Sequence, residues 1–110
     1  MSKVTPIAVP SLMNEAVAKI RALAEESVNV YFIKHASDQM DKRGITQTQA
    51  TDCLRRGVVV EGPTWDTYQQ KGWKVTMESF CAGRTVGIAA KLIETGDSHV
   101  LVITAFKKGR

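Results

Sequence analysis

The chain has 110 residues, of which 44% are hydrophobic and 24% are charged, as in an ordinary globular domain. A chain of this length buries about two-thirds of its unfolded surface. No apolar segment approaches the roughly 20 residues that span a bilayer, and residues 1–7 lack the pattern of a signal peptide. We therefore expect a cytoplasmic protein without membrane contact, with a flexible leader over residues 1–10 and one domain over residues 11–110.

The charge is positive: 15 Lys and Arg face 11 Asp and Glu, and the net charge is +4. Basicity of this size is compatible with nucleic-acid binding. Lys107, Lys108 and Arg110 form a basic tail after the last apolar segment. The alternative is a solvated tail that only aids solubility.

Metal chemistry is not expected. The two cysteines, Cys53 and Cys81, have no spacing to His35 or His99 that matches a known metal motif. Free cysteine is among the most buried residue types, so we expect two buried, inert thiols. No glycine-rich phosphate loop is present, and we expect neither a metal nor a cofactor.

The first half of the chain has helical periodicity. Ser11 suits an N-cap, Gly44 suits a left-handed helix end, and Thr46 with Gln49 forms a capping box. The predicted elements are a helix over 11–27, a short strand or extended linker over 28–33, a helix over 35–43 and a helix from residue 46 to the glycine at 57.

The second half changes to the period of two that is typical of strands. The predicted strands are 58–61, 73–81, 85–93 and 99–106. The last three are joined by short connections and must be antiparallel, because parallel neighbours need long crossovers. Helices followed by a meander predict an α+β fold, in which the N-terminal helices pack on one face of a four-stranded antiparallel sheet.

The predicted helix over 35–43 carries His35 in its first turn and Arg43 in its last. Histidine exchanges protons near neutral pH, and the arginine fork suits a phosphodiester. Gln39 lies about 40° and Arg43 about 80° around the helix from His35, which gives a slanting polar stripe. The alternative for His35 is a capping or packing role without chemistry.

Thr104 interrupts the apolar residues of the last predicted strand. A buried hydroxyl must find a partner or cost about 1–3 kcal/mol. On an uncovered sheet face, Thr104 would reach a site beside Lys74 or Lys91. The alternative is that threonine is simply a good β-former.

Five side chains are predicted to contact a nucleic acid: Gln39, Lys74, Arg84, Lys91 and Trp65. Trp65 and Tyr68 lie in a predicted loop, where their rings could stack on unpaired bases. The alternative is that either ring merely caps the core.

The chain also resembles a known family. The resemblance lies over roughly residues 30–107 and rests on Lys34-His35-Ala36, Met40, Arg43-Gly44-Ile45-Thr46, the run 54–59 and the run 102–106. These motifs resemble the bacterial family called domain of unknown function 4258. That family in turn resembles the RelE/ParE-like toxins and the small ribonucleases of colicin-type and contact-dependent toxins.

The resemblance implies RNA cleavage without a metal, in which a 2′-hydroxyl attacks the adjacent phosphate. His35 would be the acid/base, Arg43 the phosphate clamp and Thr104 an orienting hydroxyl. The family often has arginine where this chain has Gln39, so one positive charge is missing. RNA is the implied partner, and an acidic antitoxin or immunity protein would cover the cleft.

Two alternatives belong to other functional classes. One is a non-catalytic module that binds nucleic acid or protein with the same fold, through Lys74, Lys91, Arg84 and the tail. The other is an inactive accessory protein. A binding module would show an affinity that depends on salt and does not depend on His35.

Overall fold

The computed structural model describes residues 5–81 and 83–109, with side chains from residue 12 onward. The helices are α1 (Thr5–Leu23), α2 (Lys34–Arg43) and α3 (Gln47–Arg56), with a short 3₁₀ turn at Ser27–Asn29. The strands are β1 (Val30–Phe32), β2 (Val58–Asp66), β3 (Gly72–Cys81), β4 (Arg84–Ile93) and β5 (His99–Lys108).

All five strands form one mixed sheet in the order β1-β5-β4-β3-β2. The α+β class and the antiparallel pairing of β2 to β5 agree with the prediction. The prediction of four strands is wrong, because β1 adds a fifth strand that pairs parallel to β5, with Val30 opposite Val100. A three-residue strand is too short to show a period, and its partner lies far away along the chain.

The helices and one face of the sheet share a single core. Buried side chains of the helices, such as Ile20 and Leu54, pack with Met77, Ile88 and Val102 of the sheet. We call the sheet face that packs against the helices the inner face. The opposite face, which we call the outer face, carries the alternate residues of the same strands.

Helix α1 begins at Thr5, so it takes in most of the segment 1–10 that the sequence predicts to be a leader, and Ser11 is not its N-cap. Pro6 is tolerated because the first turn of a helix needs no amide donors. The helix ends at Leu23, four residues before the predicted end, and the Asn29 side chain donates to the Leu23 carbonyl at 3.1 Å.

Helix α2 is fixed at its C-terminal end. Gly44 has a φ of 67°, and the amides of Gly44 and Ile45 both donate to the Met40 carbonyl. The capping box that starts α3 is confirmed: Thr46 and Gln49 exchange two hydrogen bonds of 3.0 Å. The predicted helix over 35–43 is thus confirmed with one additional residue.

The two cysteines differ in burial. Cys53 is fully buried beside the Met77 carbonyl, and burial raises the pKa of its thiol. Cys81 is only half-buried, and its sulfur lies 3.2 Å from the Gln49 amide nitrogen. Only Cys53 fits the expectation of a buried, inert thiol.

A bulge in β5 determines where Thr104 points. Ala90 pairs with Val102 but Ala89 pairs with Thr104, so Ile103 is an extra residue in β5. Without the bulge, Thr104 would share the inner face with Val102. With the bulge, it lies on the outer face, opposite Ala89.

Candidate functional site

Helix α2 lies along an edge of β5. Strand β1 pairs only with residues 100–102, which leaves the rest of that edge without a strand neighbour. Gln39 fills this gap: its side-chain oxygen accepts a hydrogen bond of 3.1 Å from the Ala105 amide. Further along, Lys107 Nζ lies 3.4 Å from the Gly44 carbonyl. The helix therefore runs beside the second half of β5.

The orientation of α2 places His35 toward the outer face. Ala36 and Met40 are buried in the core, and Gln39 contacts the strand edge. His35 lies about 40° from Gln39, on the side away from Ala36 and Met40. The side chain is exposed, and the described part of the chain supplies it with no hydrogen bond or ion pair.

Thr104 lies on the strand segment that α2 contacts. It is half-buried, and the next residue, Ala105, gives its amide to Gln39. By helical spacing from Gln39, His35 lies on the same side of this edge as Thr104. The structure thus places the predicted acid/base and the predicted orienting hydroxyl on two elements that touch.

Arg43 lies at the far end of α2. It is exposed, and no carboxylate of residues 5–81 or 83–109 pairs with it. The Cα atoms of His35 and Arg43 are eight helical steps apart, which is about 12 Å along the axis. To reach a group that His35 contacts, the Arg43 side chain would therefore have to extend back along the helix.

Lys91 has a structural role in place of the predicted contact with nucleic acid. The residue is 3% exposed, and Nζ contacts Asp66 Oδ2 at 2.8 Å and the carbonyls of Tyr68 and Gln70 at 2.9 and 2.7 Å. All three ammonium hydrogens are used. Alternation correctly places Lys91 on the outer face, but the β2–β3 loop covers it.

The hydrogen bond from Lys91 also stabilises the charged form of Asp66. It lowers the pKa of the Asp66 carboxyl, and the Tyr68 amide adds a second hydrogen bond with the same effect. The ion pair and these bonds together hold the loop in place.

Trp65 lies on the inner side of the sheet. It is in register with Trp73, which is in turn opposite the buried Leu92. The two indoles form an edge-to-face pair with centroids 5.5 Å apart. Trp65 belongs to β2 and not to the predicted loop, and it is 54% exposed. Because Thr104 lies on the other face, Trp65 cannot join it in one site.

Lys74 and Arg84 lie far apart on the sheet. Lys74 is exposed on the outer face beside Lys91. Arg84 is exposed at the other end, where β4 begins, and its neighbour Thr85 pairs with Lys108. Of the three predicted cationic contacts Lys74, Lys91 and Arg84, only Lys74 combines a position on the face of Thr104 with an exposed cation in the described structure.

The predicted basic tail is mostly strand. β5 continues through Lys108, which pairs with Glu78 at 2.9 Å, while Lys107 contacts the end of α2. Arg110 lies outside the described residues. The contact between Lys107 and Gly44 was not predicted, because only the packing of α2 brings these two residues together.

Three other features concern a metal site, a membrane-spanning helix and a second cavity. Within residues 5–81 and 83–109, no three His, Cys, Asp or Glu side chains are placed to hold a metal ion. Across the same ranges, no helix is long and apolar enough to cross a membrane. A cavity of about 480 Å³ separates α1 from β2, but Arg21 at its border already binds the carbonyls of Arg55 and Gly57.

The fold and site define an α+β domain with a polar helix on the edge of a mixed sheet. The family model for DUF4258, a domain of unknown function, matches residues 32–107, and the chain belongs to this family. The match includes α2, α3 and β2 to β4 and most of β5, and α1 lies outside it. Comparison with curated proteins and with solved structures gives no significant match.

Proposed function

We propose that this domain is a toxin-like, RNA-binding domain that cleaves RNA without a metal ion. The observation that carries the proposal is the bond from the Ala105 amide to Gln39, which fixes α2 on the edge of β5. It places His35 beside the strand segment that carries Thr104. The likeness to RelE/ParE-like toxins and a cytoplasmic location belong to this proposal and rest on the sequence.

The proposed reaction is an internal transfer of the phosphate. His35 removes the proton from a 2′-hydroxyl, whose oxygen attacks the adjacent phosphorus. A 2′,3′-cyclic phosphate forms, the bond to the 5′-oxygen breaks, and that oxygen takes a proton from the imidazolium or from water. Arg43 neutralises charge on the phosphate, and the Thr104 hydroxyl orients it.

Gln39 limits the reaction. Its amide is neutral, and its oxygen is already bound to the Ala105 amide. It therefore positions α2 and adds no positive charge for the developing phosphate charge. We expect slower cleavage than in a domain with arginine at this position.

The partners in this proposal are RNA and an acidic antitoxin or immunity protein. The chain has a net charge of +4, and Lys42, Arg43 and Lys74 are exposed cations near the proposed site. An acidic surface that covers α2 would neutralise these cations and block access to His35.

A non-catalytic binding module is the second candidate. It is favoured by the surroundings of His35, which no second acid/base side chain of the described residues contacts. Its neighbour Asp38 is paired with Lys34 at 3.0 Å. A protein that only binds RNA needs the exposed cations and does not need the imidazole.

The test is cleavage of a labelled single-stranded RNA in the presence of EDTA. We expect His35→Ala to lower the rate about 10²- to 10⁴-fold, the usual contribution of an acid/base group. His99→Ala is the matched control, since His99 lies at the start of β5 against Tyr31 and the Asp97 carbonyl. Thermal unfolding shows that each variant is folded.

The same experiment separates the two candidates. If His35→Ala cleaves RNA as fast as the parent, the catalytic proposal is wrong. If the parent binds RNA with a salt-dependent affinity and does not cleave it, the protein is a binding module. Expression of both proteins in a bacterial host adds growth inhibition as a second measurement.

A further inference from the structure

A cavity of about 270 Å³ lies on the outer face of the sheet, below the loop that joins β2 to β3. Leu101 and Ile103 of β5 and Ile33, which precedes α2, form its apolar wall. Tyr68, Gln69 and Gln70 of the loop border it on the other side. An apolar wall opposite polar side chains is the usual composition of a small-ligand site.

The cavity adjoins the proposed catalytic residues. Ile33 is the N-cap of α2 and lies two residues before His35. Ile103 is the bulge residue directly before Thr104. A group bound in the cavity would therefore lie beside any phosphate that His35 and Thr104 contact.

The loop over the cavity is held in one conformation. Lys91 binds its main chain at the Tyr68 and Gln70 carbonyls, and Asp66 completes the ammonium shell. Gln69 has a φ of 63°, a conformation that non-glycine residues adopt rarely and that persists where the surroundings impose it. The cavity is therefore preformed.

The exposed groups of the loop suit a nucleobase. Among the described residues, the side chains of Gln69 and Gln70 make no hydrogen bond, so their amides can donate and accept. Amides of this kind pair with the edges of unpaired bases. Tyr68 is 73% exposed, so its ring can stack on a base, while Lys74 at the border is an exposed cation for a phosphate.

We propose that this cavity is the subsite for one unpaired base of single-stranded RNA, next to the phosphate that is cleaved. The inference rests on the proposed function and adds the substrate class, which is single-stranded RNA. Pockets for drug-sized ligands measure about 300–1,000 Å³, so a cavity of about 270 Å³ suits one ring system.

The experiment measures RNA binding by His35→Ala protein, in which cleavage is suppressed. The probes are labelled hexanucleotides of adenosine or uridine and a matched hexamer of abasic ribose phosphates, measured by fluorescence anisotropy. The test variants are Tyr68→Ala and Gln70→Ala, which keep the carbonyls that bind Lys91. The matched controls are Tyr31→Ala and Gln47→Ala, two exposed residues of the same types outside the cavity.

We expect Tyr68→Ala to weaken binding of at least one base-bearing hexamer about five- to a hundredfold, the range for loss of base stacking. Gln70→Ala should weaken it less, and the preference between adenosine and uridine should change. Neither variant should alter the affinity for the abasic hexamer. The two controls should bind all three probes like the parent.

Several outcomes would overturn the subsite. They are an unchanged affinity for both base-bearing hexamers, an equal loss for the abasic hexamer, and no RNA binding by the starting protein. The proposed function fails separately: if the protein with His35 does not cleave RNA but the base-dependent loss is seen, the subsite stands without catalysis. If the protein cleaves and the loss is absent, catalysis stands without the subsite.

Discussion

The two edges of the sheet are closed in different ways. At the β2 edge, register shifts on both sides of Glu61 disrupt the strand, and Pro63 removes an amide donor. At the β5 edge, beyond β1, the strand stays regular after its bulge, and Gln39 of α2 binds the Ala105 amide. Both devices prevent pairing with another strand, but only the second one brings polar side chains of a helix to the sheet.

This difference explains where the candidate site lies. The β2 edge exposes Val58 and Val60 and borders an apolar cavity. At the β5 edge lie His35 of α2, Thr104 and the apolar wall of the cavity of about 270 Å³. Of the described side chains of α2, only Gln39 forms a hydrogen bond with the edge of β5. The neighbouring side chains of the helix are therefore free for other contacts.

The largest expected effect is the difference in stability between variants of two lysines on the outer face. Lys91→Met leaves Asp66 without its partner and releases the loop, so the free energy of unfolding should fall by about 3 kcal/mol. Lys74→Met, at the register neighbour on β3, should change it by about 0.5 kcal/mol or less. Urea denaturation measures both, and equal losses would contradict the structural role of Lys91.

The sequence predicts local structure well, but it does not predict which distant segment covers a given side chain. The period of two identifies β3 and β4, and the Thr46–Gln49 box marks the start of α3. Periodicity also places Lys91 on the outer face. It contains no information on the loop that covers Lys91. Two of the three contacts of Lys91 are with main-chain carbonyls, which every residue type has, and periodicity does not pair Lys91 with Asp66.

The residues of the candidate site follow from the sequence only in part. His35 and Arg43 follow from the residue types and the helix pattern. The side on which Thr104 lies depends on the bulge at Ile103, and no residue type in that segment marks a bulge. The role of Gln39 depends on the short length of β1, which leaves an amide of β5 without a strand partner.

The second prediction tests whether the hydrogen-bond acceptor of Gln39 holds α2 on the edge of β5. Gln39→Arg places five donors and no acceptor next to the Ala105 amide. The free energy of unfolding should fall by about 1–3 kcal/mol, the cost of an unsatisfied amide, while affinity for RNA should rise. Gln39→Glu is the control, because it keeps an acceptor. An Arg variant as stable as the parent would show that this hydrogen bond does not hold α2.

The third prediction compares the bulge residues of the two edges. Ile103 is half-buried in the cavity wall, whereas Val60 is an unpaired residue of β2 with 51% exposure. We expect Ile103→Ala to cost about 1–2 kcal/mol, less than a fully buried isoleucine. Val60→Ala should cost about 0.5 kcal/mol or less. Equal costs would mean that the cavity wall does not contribute to stability.

The smallest expected effect is a pH dependence of stability that arises at two carboxylates, Asp66 beside the outer face and Asp52 in α3. The hydrogen bond from Lys91 lowers the pKa of Asp66. In α3, a hydrogen bond from Arg56 and a smaller contribution from Arg55 lower the pKa of Asp52. A lowered pKa means that the folded state binds fewer protons than the unfolded state. The stabilisation is therefore present above the unfolded value near 3.8 and is lost as the pH falls through the folded value.

Melting temperatures between pH 7 and pH 3 test this assignment. Asp66→Asn and Asp52→Asn should each flatten the acid end of the curve, because each removes one group that must be protonated. The loop should respond to only one of them: the signals of Tyr68 in NMR spectra should change with pH in the parent and in Asp52→Asn, and should be nearly constant in Asp66→Asn. A Tyr68 response that persists in Asp66→Asn would show that another titrating group holds the loop, and the assignment of the loop's pH response to Asp66 would then be wrong.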